Sequence, residues 1–357
     1  MKEKFWLMLK KLYELFSNDI GIDLGTANTL VYLSGHGIII NEPSVVALNQ
    51  KTNRVVAVGR DAKEMLGRTP AHIVAIRPLA EGVISNFEVT EEMLAYFIKK
   101  AQTHTRGKIL GPRIVIGVPS GITNVERRAV RDAARNAGAR EVHIIEEPMA
   151  GAIGTRLPIH DPVGTMVVDI GGGTTDIAVI SLGGIVESRN LRIAGDKLNN
   201  DIITYIRDEF KILLGERTAE EIKTTIGSAS ELDESLEFAV KGRDLVTGLP
   251  RELVLTDSDI REAIGGSISA IVESTKEVLE LTPPEVVSDI MRRGVVIFGG
   301  GALIHALREL LEEELKIPVY IAEDPLTCVV RGTGIVLENM EEFKDVLLEH
   351  EDELSPQ

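Results

Sequence analysis

The sequence predicts an α/β protein built from two related halves, and three observations carry that prediction. Two segments are near copies, Ile20–Leu33 (IGIDLGTANTLVYL) and Met166–Ile180 (MVVDIGGGTTDIAVI), each reading apolar strand, Asp, glycine-rich turn, Thr, apolar strand. Strand and helix signals alternate along the whole chain, as in α/β architectures. The length of 357 residues exceeds the roughly 250–300 at which a single core divides. A hairpin whose tip joins one carboxylate to flexible, hydroxyl-rich backbone, present twice, suits two half-molecules that grip one polyphosphate.

Taken in order, the chain opens on an amphipathic stretch. Phe5, Trp6, Met8, Leu9, Leu12, Tyr13, Leu15 and Phe16 share one broad face at helical spacing, with Lys4, Lys10, Lys11 and Glu14 largely opposite. It is shorter than the roughly 20 apolar residues of a membrane span and has no small-residue cleavage site. Two readings stand: insertion along a membrane interface, favoured by the Trp and the lysines, or docking on the protein's own surface or a partner. After the first hairpin, 38–48 and 54–58 predict strands, and Asp61–Leu66 and 90–102 helices. Ile114–Pro119 reads as a buried strand. Thr123-Asn124-Val125-Glu126 has capping-box spacing before a helix that stops at Gly138. Val142–Ile145 is a further strand. A helix begins at Glu147-Pro148, since Pro suits the first helical position, and Ala150, Gly151, Ala152 and Gly154 permit close backbone approach. Asp161-Pro162 reads as an interdomain loop.

The second half repeats the scheme. Its hairpin at 166–180 is followed by a strand at 185–193, a helix at 196–213, a helical stretch at 217–227, and strands within 236–255 about a turn at Thr247–Pro250. A long helix at 257–280 breaks at Thr282-Pro283-Pro284 before another. The strand Gly294–Phe298 enters Gly299-Gly300-Gly301 and a helix near Ala302. From Glu338 to the end, eight acidic residues face one Lys, which predicts that the end of this tail is solvated.

Composition narrows the chemistry. A net charge of −16 with no long Lys/Arg stripe opposes phosphate backbones, so nucleic acid is not an expected partner. The single cysteine, Cys328, permits no internal disulfide. The seven histidines never fall at metal-ligand spacing, so any metal would take oxygen ligands. Asp23 and Asp169 each end an apolar strand, where a carboxylate costs desolvation unless a cation or partner compensates it. A Mg²⁺ carried by nucleotide phosphates and bound largely through water would serve both. The turns Gly25–Asn28 and Gly171–Thr174 let backbone N–H groups face phosphate oxygens. No GxxxxGK[ST] and no GxGxxG occurs, which removes the P-loop and Rossmann readings. Glu147 is open between an acid at a positive helix end and one that orients water against a γ-phosphate.

With the paired hairpins and Gly299–Leu303 in view, the chain resembles the actin, sugar kinase and heat-shock chaperone ATPase superfamily, and within it the MreB family of bacterial actins. The segments IDLGTANTLVY, EPSVVAL, VGRDAKEMLGRTP, VPSGIT, IEEPMAGAIG, VDIGGGTTDIAV, RTAEEIK, GRDLVTGLP and FGGGAL carry the resemblance from about residue 18 to 337. It implies an actin-like ATPase fold, two related domains in four subdomains around a central nucleotide cleft, with ATP and Mg²⁺ as cofactors. It implies phosphate contacts at Ala27, Asn28 and Thr29 and at Gly172, Gly173 and Thr174, with Asp23 and Asp169 at the metal. Glu220, Glu221, Ile222 and Lys223 fall on the ribose and base side, and Gly300, Gly301, Ala302 and Leu303 beside the adenosine. Glu147 and Thr174 would position the attacking water, with hydrolysis slow until subunits assemble.

The resemblance further implies head-to-tail filaments paired antiparallel on the inner face of the cytoplasmic membrane, working with membrane proteins of cell elongation and wall synthesis to maintain rod shape. Val125 is then a candidate filament contact, unless it faces the core. Ile109-Leu110, flanked by Arg106, Lys108 and Arg113, is either a second membrane insertion point or a buried loop anchor. The expected division is a membrane helix at 1–17, a first domain at 18–150 with 39–71 as its small subdomain and about 320–340 completing it, a second at 151–320 with about 188–250 as its small subdomain, and an acidic tail at 341–357. Departures from the family pattern fall at Lys197, Asn199 and Asn200, and at Gly151. The rival functions are a small-molecule kinase or a chaperone-type ATPase of the same superfamily.

Overall fold

The computed structural model describes residues 19–65, 72–103 and 111–348. The amino-terminal segment with Phe5, Trp6, Met8, Leu9, Leu12 and Tyr13, the pair Ile109-Leu110, and the tail beyond Leu348 lie outside them. The chain divides into two compact units, one running to Leu157 and resuming at Thr327, the other spanning Pro158–Leu326.

The first unit begins with β1 (Ile20–Leu24), β2 (Asn28–Leu33) and β3 (Gly37–Pro43). Next come β4 (Val46–Asn49), β5 (Arg54–Val58), α1 (Arg60–Met65) and β6 (Ile73–Ile76), whose strands form a small separate sheet. A short hairpin, β7 (Leu79–Ala80) and β8 (Val83–Ile84), leads to α2 (Phe87–Gln102), β9 (Arg113–Val118), α3 (Asn124–Asn136), β10 (Glu141–Glu146) and α4 (Glu147–Gly154). The main sheet has the order β10-β9-β1-β2-β3, with β1, β9 and β10 parallel and β1, β2 and β3 antiparallel. Ile20, Ile22, Ile114 and Ile116 are fully buried, as central strands covered on both faces require. Thr123 and Glu126 form the expected reciprocal capping box on α3.

The second unit opens with β11 (Thr165–Ile170), β12 (Thr175–Ser181), β13 (Gly184–Leu191), α5 (Gly195–Phe210), β14 (Ile212–Leu213) and α6 (Glu216–Ile226). It continues with β15 (Glu237–Asp244), β16 (Pro250–Thr256), α7 (Asp257–Leu281), α8 (Pro284–Arg293), β17 (Val295–Phe298), α9 (Leu307–Leu315) and β18 (Val319–Ile321). Its main sheet runs β13-β12-β11-β17-β18, again three antiparallel strands joined to parallel partners. The sequence repeat is therefore a repeat of topology. Asp23 pairs with Leu30 across one hairpin and Asp169 with Asp176 across the other. The last helix, α10 (Cys328–Glu338), belongs to the first unit and packs on β1, β9 and α4.

Several expectations are corrected. The stretch 38–48 is two strands of different sheets, parted at Ser44. The helix read from 90 starts at Phe87, where the Asn86 side chain accepts from Val89 N–H and caps it. The helix read to 213 stops at Phe210, because Lys211 turns left-handed (φ 58°) and Ile212 and Leu213 join β15 instead. The glycine run does not open an α-helix near Ala302: Gly300–Leu303 is a 3₁₀ turn, and α9 begins at Leu307. The chain is diverted there, since His305 N–H donates to Gly227 O and His305 O accepts from Ala229 N–H. The 150/151 boundary would cut α4; the units part at Leu157–Pro158. The expected solvated end of the acidic tail lies outside the described residues; its start is packed, with Phe343, Val346 and Leu347 buried and Leu348 N–H donating to Ile144 O on the edge strand β10. Three apolar side chains among these acids are enough to dock it.

Candidate functional site

In the first unit the β1–β2 turn is braced from below. The Ser44 hydroxyl donates to Gly25 O (2.6 Å) and Ser44 N–H to Ala27 O (3.0 Å), so the turn is held by side-chain and backbone bonds together. A Cβ on Gly25 would stand 2.7 Å from Asn28 O, which explains the glycine. Ala27 and Asn28 are exposed at the tip. Thr29 is fully buried, its hydroxyl 2.9 Å from Ser44 Oγ, so its side chain supports the turn. Asp23 lies at the end of β1 and, among the described residues, its carboxylate has no hydrogen-bond donor. Burial pushes that carboxyl up to about 7 from 3.8. A cation would restore its ionised form, and in that respect the residue fits Mg²⁺.

Glu147, in the first turn of α4, is buried and stands close to Gly117 on β9. Gly117 is the residue paired with Asp23 on the neighbouring strand, so strand register brings the two acids to the same end of the sheet. Pro148 falls at the second position of α4, one later than expected, because Glu146 is the N-cap and Glu147 the first helical residue. The neighbouring Glu146 is raised by burial, an effect opposed by a hydrogen bond from the Gly121 backbone and by the Arg127 guanidinium.

In the second unit the β11–β12 turn closes through Gly171 N–H to Thr174 O (2.9 Å). It is held from the other side by the start of α5, where Gly195 N–H donates to Gly171 O and Asp196 N–H to Gly172 O. Asp169 is buried and its Oδ1 lies 2.5 Å from where a Gly299 Cβ would be, so a side chain there would press on the carboxylate. Gly299 also has φ 82°, a conformation that favours glycine. Gly301 abuts Ile170, while Leu303 is 53% exposed beside the same turn. Lys223 of α6 is buried and donates to Gly195 O (3.0 Å) and Glu220 Oε2 (2.8 Å). Ile222 is core, and Glu221 is exposed. The bridge from Ser228 to His305 ties the end of α6 to the glycine run. Thus Gly172, Gly173 and Thr174, Glu220 and Lys223, and Gly300–Leu303 occur on one connected set of elements within this unit. Val125 is 79% exposed on α3, which removes the core-facing reading.

Sequence reading missed Ser44 and Gly195, whose roles depend on contacts between distant segments. Among the described residues no helix is long and apolar enough to cross a membrane.

Duplicated units, each with three antiparallel and two further parallel strands and an Asp-Gly hairpin at its centre, define an actin-like fold. Among solved structures, MreB5 of Spiroplasma citri bound to ADP matches with a TM-score of 0.87 at 39% identity, over 92% of this chain and 98% of that one. The MamK double helical filament matches at 0.75 with 24% identity, a likeness of fold. In sequence, the cell shape-determining protein MreB of Escherichia coli (strain K12) is 54% identical over 335 residues, 93% of this chain and 96% of its own. The cell shape-determining protein Mbl of Bacillus subtilis (strain 168) is 51% identical over 329 residues, 92% and 98%. Residues 17–345 match the MreB/Mbl protein family, and the chain belongs to that family.

Proposed function

We propose that this chain is an ATP-dependent cytoskeletal protein that polymerises into antiparallel double filaments on the inner face of the cytoplasmic membrane, where it organises wall synthesis and maintains rod shape. The observation that carries the reading is the Asp-Gly hairpin recurring at one topological position in each unit. Relatives named as cell shape-determining proteins support the cellular role. Ala27 and Asn28, with Gly172, Gly173 and Thr174, would offer backbone to the phosphates, and Glu220, Lys223 and Gly300–Leu303 would take the nucleoside. Asp23 and Asp169 would hold Mg²⁺ through its water shell, and the ion's chemistry is to neutralise phosphate charge. Glu147 and Thr174 would orient the attacking water for in-line displacement, catalysis resting on positioning and charge stabilisation. Filaments multiply a weak amphipathic anchor, so attachment follows from avidity.

Sedimentation and imaging with ATP and liposomes test this. Filaments on lipid are expected; a protein that stays monomeric on lipid at several micromolar, with or without ATP, overturns the reading. Removing residues 1–16 is expected to abolish liposome pelleting with nucleotide affinity intact, and retained pelleting would refute the anchor. Glu147→Ala is expected to slow phosphate release by about a hundredfold without blocking ATP binding. An unchanged rate would remove Glu147 from the mechanism.

A further inference from the structure

We infer that Asn199 is a positioning residue that fixes the Glu220–Lys223 pair for the nucleoside, and that it does so because it is a carboxamide rather than a carboxylate. This rests on the nucleotide reading above. Asn199 lies in α5 and is 2% exposed. Its Nδ2 donates to Glu220 Oε2 at 2.7 Å, and that same oxygen accepts from Lys223 Nζ at 2.8 Å. Lys223 Nζ also donates to Gly195 O, and Gly195 N–H to Gly171 O at 3.1 Å. A continuous run of hydrogen bonds, with Glu220 Oε2 accepting from both Asn199 and Lys223, therefore links Asn199 to the glycine hairpin.

The Glu220 side chain is 48% exposed and that of Lys223 only 9% exposed. Left alone, the glutamate would sample rotamers in solvent. The buried amide holds it against Lys223. Asn199 Oδ1 is buried with no hydrogen-bond partner among the described residues, so only the donor half of this side chain is used. An aspartate here would bury a second acid against the Glu220 oxygen. In this network the charged groups on α6 are Glu220 and Lys223, and on α5 Asp196, Lys197 and Asp201 lie within one turn of Asn199 in sequence. Lys197 pairs with Asp201, which also accepts from Ser267 of α7, so neither is available to neutralise an acid at 199. Lys223, already bonded to Gly195 O and Glu220 Oε2, would then have to balance two carboxylates with one charge.

The experiment compares wild type, Asn199→Asp and the exchange Asn199→Asp/Glu220→Gln, which keeps one acid and one amide with their places reversed. Binding of a fluorescent ATP analogue with magnesium, and melting of the nucleotide-free proteins, are followed from about pH 5.5 to 8. For Asn199→Asp the raised carboxyl is protonated at low pH and donates to Glu220 as the amide does. Its deficit should be small there and grow as pH rises, reaching about tenfold in affinity. The exchange variant should give flatter profiles in both measurements. If Asn199→Asp follows the wild-type profiles, or if Glu220→Gln leaves its pH dependence unrelieved, the inference is overturned. Should the single variant fail to fold, recovery of folding in the exchange variant supports the inference, and failure of both overturns it. A wild type that binds no ATP would refute the nucleotide reading alone, because the nucleotide-free melting profiles still decide whether Asn199 holds the pair.

Discussion

Asp23→Asn is expected to make the nucleotide-free protein more stable above neutral pH and, at the same time, to remove most magnesium-dependent ATP hydrolysis. The first effect follows from an acid whose ionised form has no donor among the described residues and whose carboxyl rises from 3.8 to about 7. With the folded value above the unfolded one, the favourable contribution is complete below the unfolded value and is lost as pH rises through the folded value. At pH 8 the folded protein therefore carries an uncompensated charge costing on the order of a few kcal/mol. The amide removes that charge, with an offset of about 1 kcal/mol for its own unpaired polar atoms. The second effect follows from the proposed metal role, because a neutral group could not help to hold the cation, and loss of on the order of a hundredfold in rate is expected. Calorimetry across pH without nucleotide, beside phosphate release with magnesium, reads both. A variant that melts lower at pH 8 and hydrolyses normally would make Asp23 a structural cap.

The two hairpins were legible because everything that makes them is local: an apolar run, an acid, glycines, a second apolar run. The capping box at Thr123 and Glu126 and the proline start of α4 were legible for the same reason. What the sequence hid depends on distant segments. Gly299–Leu303 carries a fair local helix-start signal, yet pairing of His305 with Gly227 and Ala229 turns the chain aside and delays α9 to Leu307. Thr29 sits at a position matching a phosphate contact, but Ser44, fifteen residues on, takes its hydroxyl. Phe343, Val346 and Leu347 are masked in sequence by the acids around them, and only the surface near β10 shows where they go. At the site, the residue types were readable and their arrangement was not. Glu220 and Lys223 were assigned as neighbours of a nucleoside, whereas the buried amide that restrains them was visible only as a departure from a family pattern.

Gly332→Ala is expected to be among the most damaging single methyl groups that can be added to this chain. Helices α4 and α10 cross with their backbones in contact: a Cβ on Gly332 would fall well inside the van der Waals radius of Ala150 O and 2.5 Å from its carbonyl carbon. Gly154 answers from the other helix, where a Cβ would meet Cys328 O and stand 2.9 Å from Gly332 N. Backbone on both sides leaves no side chain to give way, so the helices must separate. Separation is blocked in turn, because α10 is wedged on β1, with Thr333 Oγ1 2.6 Å from a Cβ position on Gly21, and against the Tyr32 ring at Gly334. Overpacking of this kind costs about 3 kcal/mol or more. On the role proposed for Glu147, at which α4 begins, the displacement also reaches the chemistry, since a shift of about 1 Å in a positioning group costs roughly a hundredfold in rate. Gly265→Ala supplies the opposite case: that glycine lies within α7 with open space about it, so the methyl should stabilise by about 0.5–1 kcal/mol. Melting curves and phosphate release of the two variants decide the matter. If Gly332→Ala melts with wild type, the helices do not cross in backbone contact and Glu147 takes its position from elsewhere.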